Sequence, residues 1–433
     1  MTFPEIIRDQ LDTAIAHALN DDSFGIPRAS CRRGKVTYED IIKALIFMEG
    51  GSLDKVIHEA GLNISASAFV QRRNELSSVL FSNILAALNE QQTDSQTYFG
   101  YRVLAIDGSV VNMARDPKSR CFVQHDGAPE GFCQVHVNAL YDVLNKTYFN
   151  CDIQPQPQQD EIGALEFLLS WYDFDEKTII VGDRAYSSYH VFALIQRARN
   201  ADFLIRIKQG RGAMREVAKL PMKELDCEIE FTITTTQTKE DKERGYVFIQ
   251  TRKEKGRAYS NKTRNGRWSL PSPYPMKLRI VRILLDTGEY ESLATSLVPS
   301  FTPSMIKELY HARWGIETAF RELKYNYGVA HLHGKSEDFV KQEIYAGMIM
   351  ATLCARIVNE VVVRQPKGGK YLYKVNQKMA TFLTKKYFRT PGADGEQLMR
   401  EIAKYIVPIR PGRANQRKLR AKGFCEFVYR VAA

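Results

Sequence analysis

The spacing of apolar residues along the first part of the chain is that of helices. Up to about residue 95, apolar positions recur every three to four residues. Two short amphipathic segments, 53–60 and 65–76, flank Gly61-Leu62-Asn63, an arrangement typical of a helix-turn-helix. Two helices packed only within their own protein would show the same pattern. The side chains that the second helix would offer to DNA are Gln71, Arg72 and Arg73.

From about residue 101 the pattern changes to strands that alternate with helices. Apolar and partly β-branched runs predict strands at 103–106, 134–141, 147–153, 178–181 and 203–207. Helical periodicity covers 161–171 and 189–199. The run at 178–181 is apolar throughout, which is typical of a strand covered on both faces. We therefore predict an α/β unit over residues 96–209.

The alternation stops near residue 210, and helices return near residue 300. The segments between these points that have the pattern of strands are 228–236, 245–251, 278–286 and 292–298. They predict a β-rich insertion over 210–299. Helices are predicted at 302–324 and 338–363, so that residues 300–363 complete the α/β unit, and residues 364–433 are predicted to be helical. The fold class is therefore α/β with a β-rich insertion, flanked by helical N-terminal (1–95) and C-terminal (364–433) regions.

Positive charge is concentrated at the C-terminal end of the chain. The 433 residues carry a formal net charge of +11. Residues 364–433 alone carry +13, and residues 1–363 carry −2. A near-neutral body with a basic end suggests a polyanionic partner, of which nucleic acid is the commonest. The basic run at 410–422 either contacts phosphate or is a solvated tail.

The cysteines suggest a reducing compartment, and the hydropathy pattern suggests a protein without a membrane span. The seven cysteines are scattered and contain no C-x-x-C pair, which disfavours a disulfide framework or a zinc ribbon. The N-terminal sequence lacks a basic segment followed by an apolar one, and no apolar run is long enough for a membrane span. We therefore expect a cytoplasmic protein with no membrane partner.

Two carboxylates follow apolar strands directly. Asp107 comes after the run at 103–106, and Asp183 comes one residue after the run at 178–181. Catalytic and ligand-binding groups of open α/β sheets concentrate at the carboxyl ends of strands. An aspartate before a glycine, as in Asp107-Gly108, is also a common turn former, so each residue alone has both interpretations.

The segment 302–324 has two stripes when it is read as a helix. One stripe is apolar, and the other holds Tyr310, Arg313, Glu317 and Lys324 within about 60° of the helix circumference. A solvated helix face with an Arg313–Glu317 ion pair would give the same spacing, and such a pair contributes only about 0.2–0.5 kcal/mol.

These motifs together resemble one group of bacterial insertion-sequence transposases of the DDE class. Tyr310, Arg313, Glu317 and Lys324 match its Tyr-x2-Arg-x3-Glu-x6-Lys signature, and Asp107-Gly108-Ser109 matches its first aspartate motif. Asp183-Arg184-Ala185-Tyr186 matches the second, except that Ala185 replaces a glycine. The three motifs occur in the expected order between residues 103 and 324.

The resemblance implies a ribonuclease H-like catalytic core and a two-metal site. Asp107, Asp183 and Glu317 would be the catalytic carboxylates and would bind two Mg²⁺ ions, for which Mn²⁺ would substitute. The chemistry agrees, because hard divalent cations prefer carboxylate oxygens and two of them can activate water and stabilise the leaving oxygen. The residues expected to contact DNA are Tyr310, Arg313, Lys324, Arg184 and Tyr186, in addition to Gln71, Arg72 and Arg73.

The implied function is DNA transposition. The protein would bind the inverted-repeat ends of its element as double-stranded DNA, expose 3′-hydroxyls and join them to target DNA, acting as a homodimer in the DNA complex. Some transposases of this group cut the second strand through a hairpin with a base stacked on an aromatic residue of the insertion, for which Tyr290 and Trp268 are candidates here. Two alternatives stay open: a metal-dependent endonuclease with the same site, and a non-catalytic DNA-binding descendant.

Overall fold

The computed structural model describes residues 1–21, 36–48, 52–93, 95–171, 174–208, 213–249, 267–285, 287–366, 368 and 370–410. The helices in these residues are α1 (Phe3–Asn20), α2 (Tyr38–Ile46), α3 (Leu53–Glu59), α4 (Ala66–Asn74), α5 (Ser78–Glu90), α6 (Glu161–Trp171), α7 (Tyr189–Arg197), α8 (Arg215–Ala218), α9 (Lys239–Glu243), α10 (Pro303–Ala312), α11 (Trp314–Tyr325), α12 (Glu337–Asn359), α13 (Gln377–Arg389) and α14 (Gly395–Lys404). The strands are β1 (Arg102–Met113), β2 (Phe122–His125), β3 (Ala128–Asp142), β4 (Thr147–Pro155), β5 (Thr178–Gly182), β6 (Ala201–Arg206), β7 (Leu225–Thr234), β8 (Val247–Phe248), β9 (Tyr274–Leu284), β10 (Tyr290–Thr295), β11 (Tyr373–Val375) and β12 (Ile406–Pro408).

Five strands form the centre of a large mixed sheet, in the order β4-β3-β1-β5-β6. β3 runs antiparallel to both β1 and β4, whereas β5 is parallel to β1 and β6 is parallel to β5. Every residue of β5 is buried, as the apolar run at 178–181 predicted. This arrangement of three antiparallel strands followed by two parallel ones is the predicted ribonuclease H-like core.

The strands of the predicted insertion continue this sheet. β10 pairs antiparallel with β6, β9 pairs with β10, and β7 pairs with β9. The strands predicted at 228–236, 278–286 and 292–298 are confirmed within a few residues, as β7, β9 and β10. The strand predicted at 245–251 is only two residues long in the structure, as β8, and residues 250–266 lie outside the described residues.

The two faces of the central strands bury different helices. Successive residues of a strand point to opposite faces. Leu104 and Ile106 pack with α6 and α7 in one apolar cluster. Val103 packs with α10, and Ala105 belongs to the cluster that contains α11, α12 and the N-terminal helices. Asp107 continues the Val103–Ala105 side, so its side chain faces α10 and α11.

The helix predicted at 302–324 is divided into α10 and α11. Arg313 lies between them and keeps helical dihedral angles, with φ −51° and ψ −34°. The bonds from Arg313 N–H to the Tyr310 carbonyl and from Ile316 N–H to the Arg313 carbonyl span three residues instead of four. The prediction of one uninterrupted helix was therefore wrong, because a tightened turn at the signature residue Arg313 separates two helices.

The long helix α12 packs against helices from both ends of the chain. It contacts α5 and α2 of the N-terminal region and α13 of the C-terminal region, and 17 of its 23 residues are buried. None of the helices in the described part of the chain combines the length and apolar content that crossing a membrane requires. The C-terminal region contains α13 and α14 and a two-stranded sheet of β11 and β12. The basic run predicted at 410–422 lies outside the described residues from 411 onward.

Candidate functional site

Asp107 and Asp183 lie side by side on neighbouring parallel strands. The register pairs Ile106 of β1 with Gly182 of β5. Asp107 follows Ile106 within β1, and Asp183 directly follows the last residue of β5. Adjacent strands are about 4.8 Å apart, which fixes the approximate separation of the two backbones here. The sheet itself therefore brings together two carboxylates that are far apart in the sequence.

Each aspartate also stabilises the turn that follows it. Asp107 Oδ1 accepts the N–H of Gly108 at 2.9 Å. Asp183 Oδ1 accepts the N–H of Ala185 at 2.6 Å and caps a short 3-10 turn. The turn-forming interpretation of both residues is therefore correct, but it uses one carboxylate oxygen of each. The second oxygens have no hydrogen-bond partner among the described residues.

The electrostatic environment of Asp107 is unusual. The pKa of Asp107 is raised from 3.8 to about 6, chiefly by burial and in smaller part by the neighbouring carboxylates of Asp183 and Glu317, while the Gly108 N–H and the guanidinium of Arg313 lower it. Asp183, Arg313 and Glu317 therefore all lie within electrostatic reach of Asp107.

Arg313 and Glu317 form an ion pair one helical turn apart. Arg313 Nη2 donates to Glu317 Oε1 at 3.1 Å. The arginine is only 6% exposed, and its guanidinium lies 5.7 Å from the ring centroid of Tyr310 and 5.2 Å from that of Trp314. Glu317 is more open, with its side chain 40% exposed. The two residues are therefore not a simple solvated pair, because the cation is buried.

Lys324 joins α11 to the first aspartate motif. Its Nζ donates to Ser109 Oγ at 2.8 Å. Ser109 is two residues after Asp107 and points to the same face of β1. The bond therefore fixes the C-terminal end of α11 beside the strand that carries Asp107. Gly108 lies between Asp107 and Ser109. A side chain at this position would clash on the opposite face of the sheet, because an added Cβ would stand 2.3 Å from Nε2 of His136.

The donor set suits hard divalent cations. The carboxylates of Asp183 and Glu317 both interact electrostatically with that of Asp107. Within the described part of the chain, Asp107 and Asp183 each keep one oxygen without a hydrogen-bond partner. Oxygen donors of this kind bind Mg²⁺ or Mn²⁺ and not soft metals. In the described residues no three His, Cys, Asp or Glu side chains form a ready-made metal cluster. Glu317 is instead paired with Arg313.

Two other residues predicted to contact DNA around the site differ in exposure. Arg184, directly after Asp183, is exposed. Tyr186 is only 1% exposed and packs in the apolar cluster with α6 and α7, because the 3-10 turn directs its ring inward. This burial disfavours a contact between Tyr186 and DNA, and the contact stays a prediction. Tyr310 is 6% exposed, and burial raises its pKa.

The predicted helix-turn-helix residues are also not equivalent. Gln71 is exposed, and Arg72 is half-buried with its guanidinium 4.9 Å from the ring centroid of Tyr38. Arg73 is 3% exposed and donates to Gln342 at 2.8 Å and to Glu343 at 3.0 Å. Its guanidinium also donates to the Phe339 carbonyl at 2.7 Å. These internal bonds disfavour a contact between Arg73 and DNA, which stays a prediction.

Two tryptophans change the interpretation of the sequence. Trp268, one candidate for stacking a base, is 5% exposed, and its Nε1–H donates to the Pro271 carbonyl at 3.3 Å, so it is part of the core. Trp314 is 53% exposed directly beside Arg313. Trp314 was not among the predicted site residues, although an indole next to the signature arginine on a largely polar helix is a signal that the sequence contains.

The sequence of the chain matches the family described as "Transposase DDE domain" over residues 98–353. Among curated protein sequences, no match was found. Among solved structures, the chain is similar to one described as the cryo-EM structure of piggyBac transposase synaptic complex with hairpin DNA, with a TM-score of 0.47 and 12% identity. That alignment covers 95% of this chain and 87% of the other.

Proposed function

The chain belongs to the transposase DDE domain family, and we propose that it binds the inverted-repeat ends of an insertion sequence, cleaves there and transfers the 3′-hydroxyls to target DNA. The observation that carries this proposal is the convergence of Asp107, Asp183 and Glu317, with Arg313 among them, at one end of the core sheet. We further propose that the partner is double-stranded DNA, that the protein pairs two ends as a homodimer, and that it acts in the cytoplasm at the nucleoid.

The three carboxylates would hold two Mg²⁺ ions, or Mn²⁺ in their place. When bound, such ions activate the attacking oxygen and stabilise charge on the leaving oxygen of the phosphodiester. The sheet holds Asp107 and Asp183 in place, because their strands are hydrogen-bonded to each other. Glu317 would complete the site from α11.

The positively charged side chains beside Glu317, those of Arg313 and Lys324, would bind phosphate and not metal. Arg313 offers a planar guanidinium suited to phosphate, and its buried Nε has no hydrogen-bond partner among the described residues. Lys324 adds a second positive charge beside Ser109. Together they would orient the scissile phosphate toward the carboxylates. Arg184 and Gln71 are the other exposed residues that we propose contact DNA.

The proposal is tested with Asp107→Asn, Asp183→Asn and Glu317→Gln, each compared with Asp126→Asn in the exposed turn after β2. The substrate is a duplex that carries an end of the element that encodes the protein, with MgCl₂. Each of the three site variants should lose cleavage and should still bind the end when binding is measured in EDTA, because the carboxylates hold metal and not DNA. Asp126→Asn should behave as the wild type.

A second substrate with pre-cut ends separates the alternatives. The wild-type protein should join these ends to target DNA. Cleavage without joining would favour an endonuclease, and end binding that ignores metal would favour a non-catalytic DNA-binding protein. Normal cleavage by any one site variant would remove that residue from the proposed centre.

A further inference from the structure

Arg313 occupies a central position among the carboxylates of the proposed site. Its Nη2 bonds to Glu317 at 3.1 Å, and it also interacts electrostatically with Asp107. It is buried between α10 and α11, with aromatic rings of Tyr310 and Trp314 beside it. Its position therefore depends on packing as well as on charge.

The charge balance of this cluster requires a cation. Three carboxylates close together repel one another, and the raised pKa of Asp107 reflects that repulsion together with burial. A guanidinium keeps its charge at any pH that a protein tolerates, so Arg313 always supplies one positive charge. The same guanidinium retains an unpaired buried N–H at Nε among the described residues. Because that Nε–H is buried, an incoming anion would compete for Nη2, which Glu317 now occupies. A phosphate oxygen is the anion that DNA would bring.

We propose that Arg313 is an internal counter-ion that holds Glu317 in an ion pair until a DNA phosphate takes over the guanidinium, which releases Glu317 to bind a divalent cation. This inference rests on the proposed function, because it assumes that the three carboxylates bind metal and that Arg313 meets DNA. It adds a regulatory step: the third metal ligand becomes available only when DNA is in place.

Reciprocity follows from this exchange. If DNA raises the affinity of the site for divalent cations, the cations must raise its affinity for DNA by the same factor. Loss of either partner of the Arg313–Glu317 pair should uncouple the two binding events. The effect can be measured without any cleavage.

The first test is a double-mutant cycle on Mn²⁺ affinity, with full-length protein and Mn²⁺ alone. The proteins are wild type, Arg313→Gln, Glu317→Gln and the double variant, titrated while free Mn²⁺ is followed by electron paramagnetic resonance. Arg313→Gln should bind Mn²⁺ about fivefold or more tightly than wild type. In the Glu317→Gln background the same change should give no gain, because no carboxylate is left to release.

Simple repulsion between Arg313 and the metal predicts a different result. In that case Arg313→Gln would raise the affinity equally in both backgrounds, and the proposal would be overturned. No gain in either background would overturn it as well. If Glu317→Gln, Asp107→Asn and Asp183→Asn all left Mn²⁺ binding unchanged, the metal site itself, and with it the proposed function, would fail.

The second test does not depend on the folding of the Arg313 variant. Binding of a fluorescent random-sequence duplex is measured by anisotropy in EDTA. Glu317→Gln should bind DNA about fivefold more tightly than Asp183→Asn. Both variants remove one negative charge from the site, but only the first releases Arg313. Equal affinities would show that the ion pair does not compete with DNA.

Discussion

Asp107→Asn should stabilise the metal-free protein at neutral pH. Ionised Asp107 is costly in the fold, because burial and neighbouring carboxylates raise its pKa from 3.8 to about 6. This difference corresponds to about 3 kcal/mol of unfolding free energy at a pH above both values. Asparagine is uncharged and keeps an oxygen that can accept the Gly108 N–H, so the turn should survive the substitution.

The sign of the pH dependence follows from the direction of the shift. The folded protein holds the Asp107 proton more tightly than the unfolded chain does. The favourable contribution of protonated Asp107 is therefore complete below pH 4 and is lost as the pH rises through about 6. The stability advantage of Asp107→Asn over wild type should be small at pH 4.5 and should reach its maximum above pH 7.

The assay is urea denaturation in EDTA at pH 4.5 and pH 8, because bound metal would stabilise the carboxylate and mask the effect. Asp126→Asn in the exposed turn after β2 is the control for the chemical change. If Asp107→Asn were no more stable than wild type at pH 8, the buried charge would not be a cost to the fold. An equal advantage at both pH values would point to packing and not to ionisation.

Three further substitutions test other parts of the structure. Lys324→Met should weaken both DNA binding, measured by anisotropy, and cleavage of the element end. Lys324→Arg should have a milder effect because it keeps the positive charge. Equal losses in the two variants would contradict a phosphate contact. Arg73→Met should lower the free energy of unfolding by about 3–5 kcal/mol, because it removes the cation that neutralises the buried carboxylate of Glu343. Normal stability in urea would refute this. Gly108→Ala should cost about 1–3 kcal/mol through the clash with His136, and the additional change His136→Ala should recover part of it in the same assay.

The strand-end aspartates were predictable because their signal is local. An apolar run long enough for a buried strand stops at a carboxylate in both cases, at Asp107 and at Asp183. The pleat then decides which face each side chain occupies, and parallel pairing of β1 with β5 brings the two together. The sequence contains each of these elements, although the pairing itself is only implied by the fold resemblance.

The burial of Arg73 was not predictable from its own segment. Gln71, Arg72 and Arg73 have the same local appearance, three polar residues on a short amphipathic helix. Their difference comes from α12, where Gln342 and Glu343 lie about 270 residues further along the chain and receive the Arg73 guanidinium. Burial of a charge requires such a distant partner, and helical periodicity contains no information about it.

The continuation of the sheet through the predicted insertion was missed for a similar reason. The sequence pattern identified β7, β9 and β10 as strands but not their neighbours. The bond that decides the architecture is the antiparallel pairing of β10 with β6, which joins residues about 90 positions apart. Alternating polarity shows that a strand has a buried face, and it does not show which edge the strand joins.

The three proposed metal ligands differ in how firmly the fold holds them. This difference indicates which of them can regulate assembly of the metal site. Asp107 lies in β1 and Asp183 directly follows β5, so the paired strands fix their backbones, and each carboxylate is also bonded to the turn that follows it. Glu317 lies on a separate helix that begins at the tightened turn of Arg313, and its half-open side chain is bonded to that arginine. Any change that assembles or dismantles the carboxylate cluster must therefore act on Glu317. Because the group that holds it is a buried guanidinium suited to phosphate, DNA is the ligand best placed to cause that change.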